Sequence, residues 1–388
     1  MLPPRLIRRM VLAPLAVIIA VAVAILFPML AILTWTFDRV ARSEPGRNRP
    51  LRLLFFALVW LFADASAVFM CLALWIASGF GGRLRTEPFQ VRHYAVMRWF
   101  LDLVYRAATR AFGLRVEVEE PELTDAELAS RLTRPVIVLS RHAGPGDSFL
   151  LVRQLLSVYG RRPRVVMKAS LQLDPGLDVV ANRLPNVFIS HAKTGERVFV
   201  EQIRRLAHGL DDAGALVIFP EGGNWTPSRW DRAIQRLERL GRRDLAARAR
   251  QMPNLLAPRS GGAFTAIDAC QNADVIFVAH AGLDRLVTVA DVWKNLQVNQ
   301  TIRAKWWRVP SDRVPRGLDH ETQLRWLYDW WEVIDDWISD NRPVPSTAPD
   351  LRLAGSVQPA HRSARGRVPE WLELSVPGIA EQQRELGF

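Results

Sequence analysis

Two long apolar stretches open the chain. Residues 11–33 read VLAPLAVIIAVAVAILFPMLAIL without a charge, and residues 53–80 read LLFFALVWLFADASAVFMCLALWIASGF with one acid, Asp64. About 20 helical residues cross a bilayer core, so each stretch is long enough to do so. The carboxylate of Asp64 would cost about 2.5–3.5 kcal/mol on insertion, which the other side chains can outweigh. Residues 1–85 are therefore predicted to form a membrane anchor of two hydrophobic helices. The helices either span the bilayer or dip in from one face, and two buried helices of a soluble protein are the alternative.

The pattern changes after residue 86 to short β-branched runs separated by amphipathic stretches. The runs lie at 115–119, 135–140, 164–167, 186–190, 215–220 and 274–280. Strands that alternate with helices predict an α/β domain over 86–342, in which a mostly parallel sheet is flanked by helices. Helices are also predicted at 227–252 and 319–338, with Asp319 as a possible N-cap. Residues 343–388 begin rich in Pro, Ser, Arg and Gly and are predicted to be a partly disordered tail.

Composition narrows the function classes. The chain has 388 residues, two cysteines and a formal net charge of +12. Two cysteines exclude a disulfide framework and a zinc site that needs several thiolates, so we expect no metal. A basic surface attracts anionic lipid or phosphorylated substrates. We expect membrane lipid, and no nucleic acid, as the partner.

The stretch VIVLSRHAGPGDSFLLV, residues 136–152, places candidate chemistry after a predicted strand. Ligands bind at the carboxyl ends of strands in open α/β sheets, and His142 stands there. Across a Gly-Pro-Gly turn, Asp147 can fold back to one imidazole nitrogen and leave the other free to accept a proton. A helix N-cap for Asp147 and a buried structural role for His142 are the alternatives.

A second strand end has a similar design. The run ALVIFP ends in Glu221-Gly222-Gly223-Asn224, which puts a carboxylate and a flexible backbone at another carboxyl end. Glycines let a chain approach a ligand closely and let its N–H groups face an anion. The backbone N–H groups near Gly144 and Gly146, or at Gly222 and Gly223, are therefore candidate oxyanion donors.

These residues together resemble the glycerolipid acyltransferases. His142 to Asp147 is similar to that family's H-x4-D block, and Phe219-Pro220-Glu221-Gly222 is similar to its F-P-E-G block. The residues WTPSR at 225–229 and LLAPR at 255–259 resemble the subgroup that contains many 1-acylglycerol-3-phosphate acyltransferases. The resemblance covers roughly residues 90–340. It departs at Arg141, where the family often has Asn, and at Gly223-Asn224, where it often has Thr-Arg.

The resemblance implies transfer of an acyl group from acyl-CoA or acyl carrier protein to the hydroxyl of lysophosphatidic acid, which gives phosphatidic acid. His142 would be the general base, Asp147 its orienting acid, and Glu221 with Gly222 and Gly223 part of the acceptor site. An arginine that the family uses is replaced here, so other residues would bind the acceptor: Lys168, His191, Lys193 and Arg229. No cofactor is implied beyond the acyl donor. Cytosolic donors imply a catalytic domain on the cytoplasmic face of the membrane.

Three other functions stay open at this stage. The same reaction could use another lysophospholipid or a glycolipid, because the missing arginine would have bound a phosphate. A serine hydrolase could use Ser148 or Ser260, although neither lies in a G-x-S-x-G elbow. The chain could also be an inactive membrane scaffold.

Overall fold

A computed structural model of the chain describes residues 2–40, 49–121, 133–189, 195–283 and 300–342. His191, Lys193 and the predicted tail at 343–388 lie outside these residues.

A seven-stranded sheet forms the centre of the described structure. Its strands are β1 (Arg115–Glu119), β2 (Val136–Ser140), β3 (Arg162–Lys168), β4 (Val187–Ile189), β5 (Gly214–Ile218), β6 (Asp274–Ala281) and β7 (Thr301–Val309). The spatial order is β1-β7-β6-β2-β5-β3-β4. Strands β6, β2, β5, β3 and β4 run parallel, whereas β7 is antiparallel to β6 and β1 is parallel to β7. The predicted mostly parallel α/β sheet is confirmed.

Strand β7 was not among the predicted runs. Its sequence TIRAKWWRV carries three cations and two tryptophans, and its burial is intermediate along most of its length. The fully buried strands β2 and β5 gave the clearest apolar signal. A strand of an antiparallel pair can carry polar side chains on one face, and such a strand lacks the continuous apolar run by which buried strands are recognised.

Helices flank the sheet. They are α1 (Arg5–Val40), α2 (Arg49–Ala77), α3 (Glu87–Phe112), α4 (Pro145–Arg153), α5 (Pro175–Ala181), α6 (Glu196–His208), α7 (Pro227–Arg239), α8 (Arg243–Arg250), α9 (Ser260–Ala269) and α10 (His320–Asn341). The helix predicted at 227–252 is two helices, because Gly241 adopts a φ of 75° between them. The Asp319 carboxylate accepts the Thr322 N–H at 3.0 Å, so its predicted N-cap role is confirmed. Tryptophans of α10 pack on the sheet, where Trp330 stacks on Phe277 with centroids 4.6 Å apart.

Helices α1 and α2 are both long and apolar enough to cross a membrane. They differ in their surroundings. Most large side chains of α1 are exposed, whereas α2 packs against α3 and α5 and contributes Ala63, Ala67 and Cys71 to the core. The structure thus joins the second hydrophobic helix to the α/β domain.

Polar contacts tie both hydrophobic helices to α5. Asp64 is 3 % exposed, and its carboxylate accepts the Gly176 N–H at the start of α5 at 2.6 Å. This carboxylate therefore faces protein. Arg8 donates to the buried Asp178 carboxylate at 2.9 Å. Both ends of the pairing are buried, so the start of α1 is fixed to the domain.

Candidate active site

The buried strand β2 carries His142 to the carboxyl edge of the sheet. All five residues of β2 are buried. Beyond the strand, the Arg141 N–H donates to the Val278 carbonyl at 3.1 Å, and the Trp225 N–H donates to the His142 carbonyl at 2.9 Å. These bonds hold the backbone of His142 between the ends of two neighbouring strands. Because β2, β5 and β6 are parallel, their carboxyl ends meet at this edge.

The imidazole of His142 meets the carboxylate of Asp147, as the turn predicts. His142 Nδ1 lies 3.1 Å from both Asp147 Oδ1 and Asp147 Oδ2. Nδ1 carries the proton in this arrangement, because a carboxylate is an acceptor. The other nitrogen, Nε2, has no hydrogen-bond partner among the described residues, and the His142 side chain is 14 % exposed. The ring of Phe219 lies beside the imidazole with centroids 4.5 Å apart. The pair can therefore accept a proton at Nε2 from a group that approaches from the surface.

Asp147 also closes the turn before α4. It occupies the third helical position, and Gly144 is the N-cap. The Ala143 and Gly144 N–H groups donate to Asp147 Oδ2 at 2.7 and 3.0 Å. The alternative in which Asp147 is the helix N-cap is wrong, because Pro145 begins the helix and Asp147 lies three residues after the N-cap. The Asp147 carboxylate therefore accepts backbone N–H groups of the turn and also contacts the imidazole of His142.

The same contacts decide between two candidate oxyanion donors. The Gly144 N–H is already bound to Asp147, so the expectation that it binds an oxyanion is wrong. The Gly146 N–H, at the exposed start of α4, has no acceptor in the described structure. A Cβ at Gly146 would meet nothing within 4 Å, so the space beside this residue is open.

His280 is a site residue that the sequence argument missed. It lies near the end of β6, is 6 % exposed, and places Nε2 3.4 Å from Asp147 Oδ2. Burial raises the pKa of Asp147, but the neighbouring imidazoles of His142 and His280 outweigh it and hold that pKa well below its ordinary value. The run DVIFVAH, which ends at His280, was recognised only as a strand. Its terminal histidine at a carboxyl edge was the available signal.

Glu221 holds the backbone of the site together. Its Oε1 accepts the His142 N–H at 2.7 Å, and its Oε2 accepts the Leu256 N–H at 2.9 Å. The residue is 2 % exposed, so its carboxyl faces the protein interior. Burial raises its pKa to about 8, although both N–H donors and Arg141 oppose the shift. Burial therefore outweighs the neighbouring Arg141 guanidinium in setting the pKa of Glu221.

Two glycines leave room for guanidinium groups at the end of β5. Gly222 has a φ of 69°, and a Cβ there would lie 3.2 Å from Cζ of Arg259. A Cβ at Gly223 would lie 3.0 Å from Nη1 of Arg229. Both arginines therefore pack directly against the strand-end turn. Arg259, the last residue of the LLAPR motif, is a further residue of the site.

Four cations gather on this side of the site: Lys168, Arg229, Arg236 and Arg259. Partial desolvation, then Arg229, lowers the pKa of Lys168, and partial desolvation, then Arg236, lowers the pKa of Arg259. Within the described residues, no carboxylate forms an ion pair with any of the four. The group of unpaired cations favours an anion.

Arg141 has a structural position. It is fully buried and donates to the His280 carbonyl at 2.5 Å and to the Asn254 carbonyl at 3.3 Å. The arginine thus links the ends of β2 and β6 with the loop before α9. Its departure from the family pattern puts a cation behind the site, beside the Glu221 carboxyl.

The surroundings of Ser148 and Ser260 do not match those of a serine nucleophile. The Ser148 hydroxyl donates to Asp147 Oδ1 at 3.0 Å. In the part of the chain that the structure describes, neither Ser148 nor Ser260 is hydrogen-bonded to a histidine. A serine nucleophile requires a base within hydrogen-bond reach.

A largely apolar cavity adjoins Asp147. It has a volume of about 1080 Å³ including its open mouth, and Ser140, Asp147 and His280 contribute to its wall. Most of its lining comes from aliphatic residues of the sheet and α4, among them Val136, Val138, Leu150, Leu151, Leu155 and Ile276. The cavity reaches four adjacent strands, from β2 to β1. At about 4.8 Å per strand, it crosses roughly 14 Å of the sheet.

The comparison with protein families agrees with this geometry. A family model described as Acyltransferase matches residues 115–281. The match includes the His142–Asp147 pair, Glu221 and His280. No curated protein matches the chain. Residues 115–281 are therefore an acyltransferase domain, consistent with the glycerolipid acyltransferases.

Proposed function

We propose that the protein transfers a fatty acyl group from a thioester, acyl-CoA or acyl carrier protein, to the hydroxyl of lysophosphatidic acid and forms phosphatidic acid. One observation carries the proposal. An imidazole at the carboxyl edge of the sheet is held at Nδ1 by a buried carboxylate, and its Nε2 has no partner in the described residues. This is the arrangement of a general base.

The reaction needs one proton carrier. His142 Nε2 removes the proton from the acceptor hydroxyl as the oxygen attacks the thioester carbonyl carbon. Asp147 stabilises the imidazolium that forms. The tetrahedral intermediate collapses with cleavage of the carbon–sulfur bond, and the imidazolium returns its proton to the departing thiolate. A positioned base contributes roughly 10²–10⁴-fold to such a step.

Backbone N–H groups stabilise the oxyanion in this proposal. The Gly146 N–H lies at the start of a helix, where the helix dipole favours negative charge. The Gly223 N–H also has no acceptor among the described residues and lies near the His142 loop, which Glu221 and Trp225 hold in place. Donors that are fixed before reaction stabilise developing charge without reorganisation.

The acceptor's phosphate binds the group formed by Lys168, Arg229, Arg236 and Arg259. Cations without carboxylate partners keep their charge available for a ligand, and arginine can bind a phosphate through two parallel N–H donors. His191 and Lys193 follow β4 in sequence and complete this acceptor site in the proposal. Glu221 acts on the site through the backbone that it holds.

The acyl chain occupies the apolar cavity next to Asp147. An apolar chain gains roughly 25 cal/mol for each Å² of its surface removed from water, which favours a cavity with an aliphatic lining. Helices α1 and α2 bring the domain to the membrane in which the acceptor and the product dissolve. Because the donors are cytosolic, we place the domain on the cytoplasmic face.

The test is an acceptor screen with full-length protein in detergent and labelled acyl-CoA or acyl carrier protein. We expect a diacyl product from lysophosphatidic acid, and none with His142→Ala. A strong preference for lysophosphatidylcholine or for a lysoglycolipid would favour the alternative acceptors. No transfer to any lysolipid from either donor would overturn the proposal and favour the inactive scaffold.

The phosphate site has its own test with two matched arginines of α7. Arg229→Ala should raise KM for lysophosphatidic acid by about 10-fold, the equivalent of roughly 1.4 kcal/mol, since a charge-assisted contact is lost. Arg232 lies on the same helix but is exposed and donates to the Ser228 carbonyl. Arg232→Ala should leave KM unchanged. Equal effects of both substitutions, or none of either, would remove the phosphate assignment.

A further inference from the structure

We propose that His280 is a positioning residue for the acyl transfer, which holds the Asp147 carboxylate in the orientation that His142 needs. This inference rests on the proposed function. It assigns a role to a second imidazole that lies beside the Asp147 carboxylate. Asp147 then lies between two histidines, one that moves a proton and one that keeps the carboxylate in place.

The geometry places His280 within reach of a single carboxylate oxygen. Its Nε2 lies 3.4 Å from Asp147 Oδ2, and its side chain is 8 % exposed. The distance is long for a hydrogen bond, and catalytic hydrogen bonds are often long before substrate binds and then shorten. In the described structure neither ring nitrogen of His280 forms a hydrogen bond, and Asp147 Oδ2 is the acceptor that lies beside Nε2. A donor at Nε2 therefore has Asp147 as its acceptor.

The backbone of His280 is held firmly. The residue pairs with Ala304 of β7, and its carbonyl accepts the fully buried Arg141 guanidinium at 2.5 Å. The backbone of Arg141 also donates to the Val278 carbonyl on the same strand. A side chain on a fixed strand can hold a partner more precisely than one on a mobile loop.

The carboxylate needs such a partner because His142 alone does not select one of its oxygens. His142 Nδ1 is 3.1 Å from each of Oδ1 and Oδ2. The Ala143 and Gly144 N–H groups both donate to Oδ2. The Ser148 hydroxyl donates to Oδ1, so a further donor from His280 to Oδ2 reinforces the rotation in which Oδ1 faces Ser148 and His142. The rotation of the carboxylate, and with it the direction of Nε2 of His142, is thereby fixed.

The charge of the surroundings is compatible with this role. The titratable or charged groups that share the cavity wall with His280 are Asp147, Tyr159, Arg161, Lys305 and Arg308. Arg308 is paired with the buried Asp274 at 2.6 Å, and Lys305 with Glu119. A donor at His280 withdraws negative charge from Asp147. Its removal leaves a carboxylate that stabilises the imidazolium of His142 more strongly.

Two substitutions at one position separate orientation from packing. His280→Leu removes the donor and keeps an apolar side chain in the cavity wall. We expect kcat to fall roughly 10- to 100-fold, as a misplaced catalytic group does, with KM for the acyl donor within about threefold. The acid limb of the pH–rate profile should move to higher pH. His280→Gln restores an N–H near the position of Nε2 and should recover most of kcat.

His93→Leu is the control for the loss of a buried imidazole. His93 is fully buried in α3 and lies 2.6 Å from the Phe89 carbonyl through Nδ1, without a contact to Asp147. The His93→Leu substitution should lower the thermal stability of the protein without shifting the pH–rate profile. The measurements use the full-length protein, and thermal unfolding is recorded for every variant.

The inference is contradicted if folded His280→Leu keeps the wild-type kcat and pH profile, or if His280→Gln is as impaired as His280→Leu. An equal shift of the pH profile in His93→Leu would also contradict it. These results differ from a failure of the proposed function, in which the wild-type protein itself transfers no acyl group.

Discussion

The substitution Asp147→Asn separates the two roles of this side chain. Asp147 accepts the Ala143 and Gly144 N–H groups and also faces Nδ1 of His142. An amide oxygen can still accept both backbone donors. The amide nitrogen then faces Nδ1 and donates to it, so the imidazole carries its proton on Nε2 and is no longer a base.

The expected magnitudes follow from these contacts. The wrong tautomer should lower kcat by about 10³–10⁴-fold, by analogy with the serine-protease triad. Stability should fall by only about 0.5–1.5 kcal/mol, because the backbone donors keep an acceptor. Asp147→Ala instead leaves two buried N–H groups without an acceptor, at about 1–3 kcal/mol each. It should therefore lose stability as well as activity.

The assay combines acyl transfer with urea unfolding for the wild type, Asp147→Asn, Asp147→Ala and Asp147→Glu. The wild type should also lose stability at acidic pH, because a folded-state pKa below the unfolded value makes the ionised form stabilising. That contribution is present above the unfolded pKa and disappears as pH falls toward the folded one. Asp147→Asn should lack it. An active Asp147→Asn, or an Asp147→Glu that loses only about 1 kcal/mol and keeps activity, would reduce Asp147 to a helix cap and refute the reasoning.

Three further predictions concern the scaffold and the cavity. Burial raises the pKa of Glu221 to about 8, so the folded state binds the proton more tightly than the unfolded chain does. The protonated carboxyl group therefore stabilises the fold, and this contribution falls as pH rises from about 4.5 to 8. Glu221→Gln should flatten that part of a Tm–pH curve, and an unchanged slope would contradict the assignment. Gly176→Ala should lower the free energy of unfolding, measured in urea, by about 1–3 kcal/mol, because its Cβ would lie 2.2 Å from Oδ1 of Asp64. Gly146→Ala is the control, because its Cβ meets open space and causes no overpacking. Val118→Phe narrows the cavity on β1, which is farthest from β2 among the strands that line it, and should shift the preferred acyl donor to a shorter chain. An unchanged chain-length profile would exclude the cavity as the acyl site.

Sequence patterns were most informative where one face or one turn decided the structure. The apolar runs that form β2 and β5 are typical of strands in a parallel sheet, and both strands are buried throughout. The Gly-Pro-Gly turn likewise predicted the meeting of His142 and Asp147, because the two residues are five positions apart on one short loop. Local chemistry determines both features.

Contacts between distant parts of the chain were beyond such reasoning. Arg8 and Asp178 are 170 positions apart, and a single sequence does not pair them. Asp64 was read as a costly acid in a membrane helix, whereas its partner is the Gly176 N–H in α5. His280 reaches Asp147 only because β6 lies beside β2, an order that the sequence left undetermined. The occupied N–H of Gly144 depended on the helix starting at Pro145 rather than at Asp147.

The most direct test of the account compares kcat/KM for acyl transfer to lysophosphatidic acid between the wild type and His142→Ala. His208, which is exposed at the end of α6, provides the matched control substitution His208→Ala. The account predicts that His142→Ala loses at least about 10³-fold, while its thermal unfolding and the activity of His208→Ala stay near those of the wild type. A folded His142→Ala that retains activity within about tenfold of the wild type would contradict the claim that this imidazole is the base.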